Sequence, residues 1–485
     1  MPGSRPIRRR QFLAAVTGAV AVAPVACPMR VSPVARERAR KPNVVFVFAD
    51  QWRAQAAGYA GDANIRTPNL DRLAGESVDF TNAVSCCPVC SPYRASLMTG
   101  CYPLTHGVFL NDVCLGSGAV SIAEAFNDAG YATGYIGKWH LDGHGRSNCI
   151  PPERRHGFQF WKALECTHDY NNSHYYADDD TTKRTWDGYD AVAQTREAQR
   201  YIRAHAGDGP FALFLSWGPP HNPYDTAPAE YRQRYDPAGL VLRPNVPDAA
   251  AAAIRKDLAG YYSHCSALDA CVGALIQTLR EKAIEENTAF VFTSDHGDML
   301  GSQGERRKQR PWDESIRVPF LLRYPARLGR HSRSIATPLN TPDIMPTLLS
   351  LCGVEIPQTV EGRDRAALVL GAKESEDNAA LIACYVPFGE WTRAEGGREY
   401  RGVRTPRFTY VRDLEGPWLL YDNRDDPFQM VNLAGQANAA RVQADLDAIL
   451  DHKLAETRDG FVPADAYIKK WGYVTDKNGT VPYTP

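Results

Sequence analysis

Pro42-Asn43-Val44-Val45-Phe46-Val47-Phe48-Ala49-Asp50 is a short apolar stretch, rich in β-branched and aromatic residues, that ends on a carboxylate. Such a run predicts a strand buried on both faces, as in the middle of an α/β sheet. Functional groups collect at the carboxyl ends of strands in open α/β sheets, so Asp50 and Gln51 are candidates for a site. Taken alone, Asp50 would more simply cap the following turn.

Three further strand-like runs end in the same way, each followed by titratable side chains. They are residues 132–137 followed by Lys138 and His140, residues 211–217 followed by His221, and residues 288–293 followed by Asp295, His296 and Asp298. A single strand end of this kind would indicate little, but four with complementary chemistry indicate a single site.

Helical patterns alternate with these strands. They cover residues 67–75, 121–130, 191–205 and 250–282, with caps or terminal glycines at several ends. This alternation predicts an α/β fold in which a central mixed, mostly parallel sheet is covered by helices.

The pattern changes towards the C-terminus. Short alternating strands at 379–386, 400–405, 408–413 and 418–421 precede an amphipathic helix at 439–458. This predicts a smaller α+β domain with an antiparallel sheet. The chain is therefore divided into an export signal and linker at 1–41, a main α/β domain at 42–372 and a C-terminal α+β subdomain at 373–485.

The first residues resemble a twin-arginine export signal. Arg8-Arg9-Arg10-Gln11-Phe12-Leu13 leads into an apolar run that is too short to span a membrane, so we expect a periplasmic protein without a transmembrane span. Lipidation at Cys27 is the weaker alternative, because Pro24 replaces the usual leucine. Export permits disulfides among the twelve cysteines, without predicting their number or pairing.

The charge balance excludes one class of partner. The 485 residues carry a formal net charge of -1, which gives no electrostatic reason to expect nucleic acid. An aromatic content of 10% suits a sugar-binding cleft, although aromatic residues more often form core.

A candidate nucleophile lies in Cys90-Ser-Pro-Tyr-Arg-Ala-Ser-Leu-Met-Thr-Gly100. Ser91 suits a helix N-cap and Pro92 the first helical position, so the Cys90 thiol is predicted at a helix N-terminus that favours anions. Arg94 adds a permanent cation suited to a tetrahedral oxyanion. The stretch therefore predicts a nucleophile that meets sulfate or phosphate.

The cysteines also allow two other interpretations, a redox pair and a zinc knuckle. Cys87-Pro-Val-Cys90 has the spacing of a redox pair, but no thioredoxin-like βαβ pattern surrounds it. A zinc knuckle is disfavoured because the chain has no second Cys-x-x-Cys pair.

The Cys-x-Pro-x-Arg motif followed by Leu-Met-Thr-Gly resembles the signature of type I sulfatases, in the alkaline phosphatase superfamily. The resemblance covers nearly all of the chain after the signal and is strongest to bacterial exported carbohydrate sulfatases and arylsulfatases. It implies an alkaline-phosphatase-like fold, oxidation of Cys90 to formylglycine by a formylglycine-generating enzyme, and hydrolysis of a sulfate ester.

Asp50, Gln51, Cys90, Asp295 and His296 form the metal set that this resemblance implies. Their mostly hard oxygen donors suit Ca²⁺, the family expectation, with Mn²⁺ or Mg²⁺ as competitors. Gln51 and His296 depart from the common sulfatase pattern, where an aspartate and an asparagine stand. The structural alternative for the segment at 295–298 is a turn with self-capping carboxylates.

The resemblance also implies catalytic roles for Arg94, Lys138, His140, His221 and Lys308. Formylglycine, hydrated to a diol, attacks sulfur while Arg94 and Lys138 help to activate it and Lys138 and Lys308 hold the sulfate oxygens. His221, with Lys308, protonates the departing oxygen. His140 takes a proton from the second hydroxyl, so that sulfate is expelled, a step that an unmodified cysteine does not allow.

The polar insert at 145–190 is predicted to form the rim or a substrate cleft, because it looks too polar for core. His168, Asp169 and His174 within it are candidate substrate-binding residues, and a sulfated carbohydrate is the expected substrate. Residues 224–247 are predicted to make an irregular excursion over the same face.

Two other functions stay open at the level of sequence. Gln51 and His296 resemble the metal set of phosphonate monoester hydrolases and choline sulfatases, so a phosphonate or phosphodiester hydrolase is one alternative. A non-catalytic protein that binds sulfated glycans is the other, although a binder needs none of the proton-transfer groups.

Overall fold

The computed structural model describes residues 40–373 and 378–482. The predicted signal and linker at 1–41 lie outside this range except for their last two residues. Within the range, none of the helices combines the length and the apolar character needed to cross a bilayer.

The strands belong to a large central sheet, a small three-stranded sheet and a C-terminal sheet. In chain order they are β1 (Asn43–Asp50), β2 (Val78–Phe80), β3 (Ala83–Val84), β4 (Ala132–Lys138), β5 (Phe160–Leu164), β6 (His174–Ala177), β7 (Asp180–Thr185), β8 (Phe211–Pro220), β9 (Thr288–Ser294), β10 (Arg317–Val318), β11 (Phe320–Arg323), β12 (Arg333–Ile335), β13 (Leu339–Asn340), β14 (Ala380–Cys384), β15 (Tyr400–Arg404), β16 (Phe408–Asp413) and β17 (Gly416–Asp422).

The helices lie mainly between the strands. In chain order they are α1 (Pro68–Ala74), α2 (Cys90–Thr99), α3 (Pro103–His106), α4 (Ile122–Asp128), α5 (Asp190–His205), α6 (Ala229–Arg232), α7 (Ala251–Glu281), α8 (Asp313–Ile316), α9 (Pro325–Leu328), α10 (Thr341–Leu351), α11 (Ala366–Val369), α12 (Ala440–Glu456) and α13 (Ala464–Trp471).

The central sheet has ten strands in the order β12-β2-β11-β9-β1-β8-β4-β5-β6-β7. Its middle, from β9 through β1, β8 and β4 to β5, is parallel, whereas β11 pairs antiparallel with β9 and β6 with β5. The expected mixed, mostly parallel sheet is therefore confirmed, and the carboxyl ends of its middle strands meet at one edge.

Strand β1 is buried on both faces, as its sequence predicts. Val44, Phe46 and Phe48 pack into a hydrophobic cluster with helices α2, α4 and α10, whereas the alternate residues pack with α5 and α7 on the other face. The ring of Phe46 stacks on Phe214 of β8 at 5.2 Å between centroids. Helices on both faces thus hold the strand ends in fixed positions.

The insert at 145–190 differs from its prediction as a polar rim. Strands β5, β6 and β7 continue the central sheet, and Trp161, Tyr170 and Trp186 are buried. Asp180, Lys183 and Arg184 lie on exposed β7, whereas other charged residues of the segment, such as Glu165 and Asp190, are buried. Aromatic side chains spaced among the polar ones supply the buried face.

The C-terminal residues form the predicted antiparallel sheet, in the order β14-β15-β16-β17, with α12 packed against it. Ile382 and Tyr400 of this sheet share a hydrophobic cluster with Val84 and Ile316 of the main domain. The short helix α13, which the sequence analysis did not identify, follows.

Candidate active site

The polar residues that follow the four predicted strands converge at one edge of the sheet. Asp50 ends β1, Lys138 ends β4, His221 follows β8 and Asp295 follows β9, and each is no more than 3% exposed. Strand β8 runs to Pro220, three residues beyond its predicted end, and thereby carries the chain directly to His221.

Helix α2 presents Cys90 to this edge, although its N-terminus differs in detail from the prediction. The helix begins at Cys90, with Val89 rather than Ser91 at the N-cap position. The Ser91 amide instead donates to Oδ1 of Asn111, 3.0 Å away. A side chain from the loop after α3 therefore does what the predicted serine cap would have done.

Four potential metal ligands meet around the thiol. Ligand atoms of Asp50, Cys90, Asp295 and His296 all lie within 4.8 Å of one another, and all four residues are buried. The Sγ atom of Cys90 is 3.3 Å from Nε2 of His296 and 3.7 Å from Oδ1 of Asp50. Burial and the neighbouring Asp50 raise the pKa of Asp295. A bound cation would offset this repulsion between two buried carboxylates, so the donor set fits a divalent metal.

Gln51 extends the same cluster. Its Oε1 atom lies 3.2 Å from Nζ of Lys308, which also contacts Cys90, and its Nε2 donates to Oδ2 of Asp298 at 2.7 Å. The backbone of Gln51 is left-handed, with a φ of 71°. Such a conformation is costly for a residue with a side chain and recurs at functional sites, where the surrounding structure maintains it.

Arg94 lies behind the carboxylates rather than in the cavity where the anion was expected. Its guanidinium donates to Asp295 at 2.9 Å and to Asp50 at 3.2 Å. Its Nη1 donates to Ser216 Oγ and to the Lys138 carbonyl. Arg94 therefore fixes the two carboxylates relative to each other.

Lys138 and Lys308 supply cations close to residue 90. The Nζ atom of Lys138 is 2.6 Å from Oδ2 of Asp50, and that of Lys308 is 3.3 Å from Sγ of Cys90. Burial and Asp50 raise the pKa of the thiol, but Lys138, Lys308 and His296 outweigh them and hold the pKa well below its ordinary value. The site thus stabilises negative charge at residue 90.

Gly137 and His140 determine the path of the backbone at the end of β4. A Cβ atom on Gly137, where φ is 103°, would lie 2.0 Å from the Ser216 carbonyl oxygen, so only glycine allows β4 to approach β8 this closely. His140 then adopts a left-handed φ of 59°. Its Nε2 atom lies 2.8 Å from Oδ1 of Asp112, whereas its buried Nδ1 has no hydrogen-bond partner among the residues that the structure describes.

The pKa of His140 reflects these neighbours. Burial and Lys138 lower it, but the nearby Cys166 and Cys90 and the hydrogen bond with Asp112 raise it, with a net result of about 10. Because Asp112 fixes the ring through Nε2, Nδ1 is the nitrogen left to interact with residue 90. A ring with this pKa is protonated at neutral pH, so His140 can act as a base only where a neutral group replaces the Cys90 thiolate that helps to raise the pKa.

The loop after His140 is anchored by Glu165. This fully buried carboxylate accepts the backbone N–H groups of Leu141, Asp142 and Gly143 at 3.0–3.2 Å. Three backbone donors on one carboxylate hold the loop in one conformation.

His221 and Lys308 form a second close pair. The Nε2 atom of His221 lies 2.8 Å from Nζ of Lys308, and its Nδ1 lies 2.8 Å from the Asn222 carbonyl oxygen. A carbonyl can only accept, so Nδ1 carries the proton and Nε2 faces the ammonium as acceptor. The ring of His168 stacks on that of His221, with centroids 4.4 Å apart.

Lys308 is tied to the C-terminal domain through its neighbour. The side chain of Gln309 donates to the Phe388 carbonyl at 2.7 Å and accepts the Phe388 N–H at 3.3 Å. Arg307 and Gln309, on either side of Lys308, both have left-handed backbones. The position of Lys308 therefore depends in part on the contact that its neighbour Gln309 makes with Phe388, near the C-terminal sheet.

A cavity of about 210 Å³ is lined by Cys90, Lys138, His140, His221 and Lys308. Residues that the sequence analysis did not single out complete its wall: Asn111, Asp112, Arg146, Gln309, Phe388, Gly389, Glu390 and Thr480. Of the predicted substrate-binding residues, His168 lines the cavity, whereas Asp169 and His174 are not among the lining residues. Asp112 follows a short apolar run, a signal too weak to identify it from sequence.

Comparison with known proteins agrees with this arrangement. A family model described as Sulfatase matches residues 42–354, and one described as N-sulphoglucosamine sulphohydrolase, C-terminal, matches residues 301–456. An ulvan-active sulfatase of Formosa agariphila is 46% identical over 450 residues, which cover 91% of this chain and 87% of that protein. An endo-4-O-sulfatase of Bacteroides thetaiotaomicron is 29% identical and covers 84% of this chain and 91% of its own length.

A solved structure from Bacteroides thetaiotaomicron, named for the metabolism of multiple glycosaminoglycans, has the same fold. Its TM-score is 0.79 at 28% identity, over 89% of this chain and 99% of that one. The alkaline-phosphatase-like fold expected from the sequence is thereby confirmed. The chain therefore belongs to the sulfatase family of the alkaline phosphatase superfamily and is a sulfuric ester hydrolase.

Proposed function

We propose that this enzyme removes sulfate from a sulfated carbohydrate, with formylglycine made from Cys90 as the nucleophile. The observation that carries the proposal is the surroundings of Cys90 Sγ: His296 and Lys308 at 3.3 Å, Asp50 at 3.7 Å. As hydrated formylglycine, residue 90 would supply two hydroxyl groups, one to attack sulfur and one whose deprotonation releases sulfate.

Asp50, Gln51, residue 90, Asp295 and His296 would hold the divalent metal. The metal would act as a Lewis acid towards the sulfate oxygens; the mostly oxygen donor set fits Ca²⁺, Mn²⁺ and Mg²⁺ alike, and Ca²⁺ is the ion that the resemblance to sulfatases implies.

The other residues have roles that follow from their positions. Lys138 and Lys308 hold negatively charged oxygens, and Arg94 keeps the two metal-site carboxylates in place. Lys308 contacts both residue 90 and His221, so this pair supplies the proton to the departing oxygen. His140, oriented by Asp112, removes the proton from residue 90 through Nδ1.

Three features support a carbohydrate as substrate. The similar proteins of known name include an ulvan-active sulfatase and an endo-4-O-sulfatase, and the chain covers most of both. The cavity wall is polar and includes Arg146 and Glu390, whose side chains are partly exposed. A twin-arginine-type signal would deliver the enzyme to the periplasm, where such glycans arrive.

The test begins with the mass of the peptide that contains Cys90, after production with a formylglycine-generating enzyme. We expect conversion of the thiol to the aldehyde, followed by sulfate release from sulfated oligosaccharides and from an aryl sulfate. An unmodified thiol with a competent modifying enzyme would contradict the proposed nucleophile. A clear preference for phosphonate esters over sulfate esters would instead favour the phosphonate hydrolase alternative.

A further inference from the structure

A second cavity, of about 560 Å³, lies beside the catalytic one. Its walls come from residues 222–225, residues 232–237, the first half of α7, and Arg306 and Arg307. We call it the basic groove after its four cationic side chains, those of Arg232, Lys256, Arg306 and Arg307. Two carboxylates, Asp225 and Asp257, also line it, so the cations are in excess.

The basic groove and the catalytic cavity share a thin wall. His221 lines the catalytic cavity, and the next residue, Asn222, lines the groove. In the same way, Lys308 lines the catalytic cavity and its neighbour Arg307 lines the groove. Glu390 of the catalytic cavity lies 3.8 Å from Arg307 of the groove. A chain-like ligand bound in the catalytic cavity would therefore reach the groove with a neighbouring unit.

The cations of the groove differ in their protein partners. Arg306 is paired with Asp257 at 2.8 Å, and Arg307 donates to the Tyr224 hydroxyl at 2.8 Å. Arg232 and Lys256 are exposed, and neither forms a salt bridge within the part of the chain that the structure describes. Two cations without an internal partner are available to an external anion.

We propose that the basic groove binds a second acidic group, a carboxylate or a sulfate, of the same glycan whose sulfate ester occupies the catalytic cavity. Arg232 and Lys256 are its main contacts, and the half-buried Tyr224, whose ring lies beneath the Arg307 guanidinium at 5.2 Å, forms part of the groove wall. The inference rests on the proposed function and narrows the substrate to a glycan with acidic groups on neighbouring units.

The test compares the double variant Arg232→Gln/Lys256→Gln with the matched control Arg234→Gln/Lys282→Gln, whose cations are exposed but do not line the groove. For ulvan oligosaccharides we expect KM to rise about tenfold or more in the double variant, with kcat little changed, and to stay constant in the control. For a small aryl sulfate, which cannot reach the groove, both variants should match the wild type. Added salt should reduce the difference in KM for oligosaccharides between the wild type and the double variant.

Oligosaccharides with their carboxyl groups reduced to alcohols identify the acidic group. If the difference between wild type and variant disappears on this probe, the groove binds a carboxylate; if it persists, the groove binds a sulfate. An unchanged KM on native oligosaccharides, or an equal loss on the aryl sulfate, would overturn the proposal.

A direct binding measurement tests the basic groove independently of the proposed function. Ulvan oligosaccharides are titrated into the full chain carrying Cys90→Ala, with and without the two groove substitutions. Weaker binding in the groove variant supports the groove even if the wild type releases no sulfate, a result that would refute the proposed function alone. Equal binding by both proteins refutes the groove.

Discussion

Replacing Asp112 with Asn should slow turnover by impairing His140. The carboxylate lies 2.8 Å from Nε2 of His140, and both side chains are almost fully buried. A hydrogen bond to a charged group in such a place contributes about 1.5–3 kcal/mol. Since about 1.4 kcal/mol corresponds to a tenfold change in rate, we expect kcat to fall roughly 10- to 160-fold.

The assay is the hydrolysis of a chromogenic aryl sulfate, followed through both products. His140 is placed to act on residue 90 after the aryl group has left, so Asp112→Asn should release phenol in an initial burst while sulfate appears slowly. KM should change less than kcat, because the proposed effect of Asp112 on the reaction passes through His140.

A double-mutant cycle decides whether Asp112 acts through His140. In the His140→Ala background, the further change Asp112→Asn should cost little, because the interaction has already been removed. Additive effects, or an equal slowing of phenol and sulfate without a burst, would refute the reasoning.

Three other predictions concern the supports of the site. Glu165→Gln replaces the carboxyl group that accepts backbone N–H groups of the loop at 141–143 with an amide that has a single acceptor oxygen, so the loop should open more often; faster amide exchange there would show it, and unchanged exchange would contradict it. Burial raises the pKa of Asp313, but Arg404 and Arg317 lower it to about 2 from an ordinary 3.8. The ion pairs of Asp313 with these arginines therefore stabilise the fold above about pH 4, and this stabilisation is lost as pH falls through about 2. Asp313→Asn should be less stable than the wild type by about 2 kcal/mol at pH 7, and urea unfolding should show this difference in stability becoming smaller in acid. A difference in stability that does not depend on pH would disprove the lowered pKa of Asp313. Removal of metal with EDTA should lower the thermal midpoint, and Ca²⁺ should restore it; an unaffected midpoint would argue against a metal between the two buried carboxylates.

Local sequence signals were sufficient to predict the strand ends and the position of Cys90 at a helix N-terminus. Apolar runs such as the one ending at Asp50 specify a buried parallel strand, and parallel strands necessarily bring their carboxyl ends together. Asp50, Lys138, His221 and Asp295 were therefore predictable as neighbours without any long-range information.

Other parts of the site depend on contacts that no local pattern reveals. Asp112 and Phe388 reach the cavity from a loop and from the second domain, and their positions are fixed only by tertiary packing. Arg94 was identified as a cation near the anion, but its burial against two carboxylates could not be read from its spacing. The polar insert was misjudged because the average polarity of a segment hides a single buried face, here that of Trp161.

The two hydrogen bonds between Gln309 and the backbone of Phe388 make the C-terminal domain part of the catalytic apparatus. The residues before position 373 supply nearly every polar side chain of the candidate site, yet the hydrogen bonds that fix Gln309, next to Lys308, come from Phe388. A change that loosens this junction should shift Lys308. Sequence change at the junction could therefore adjust turnover without altering a single reactive group.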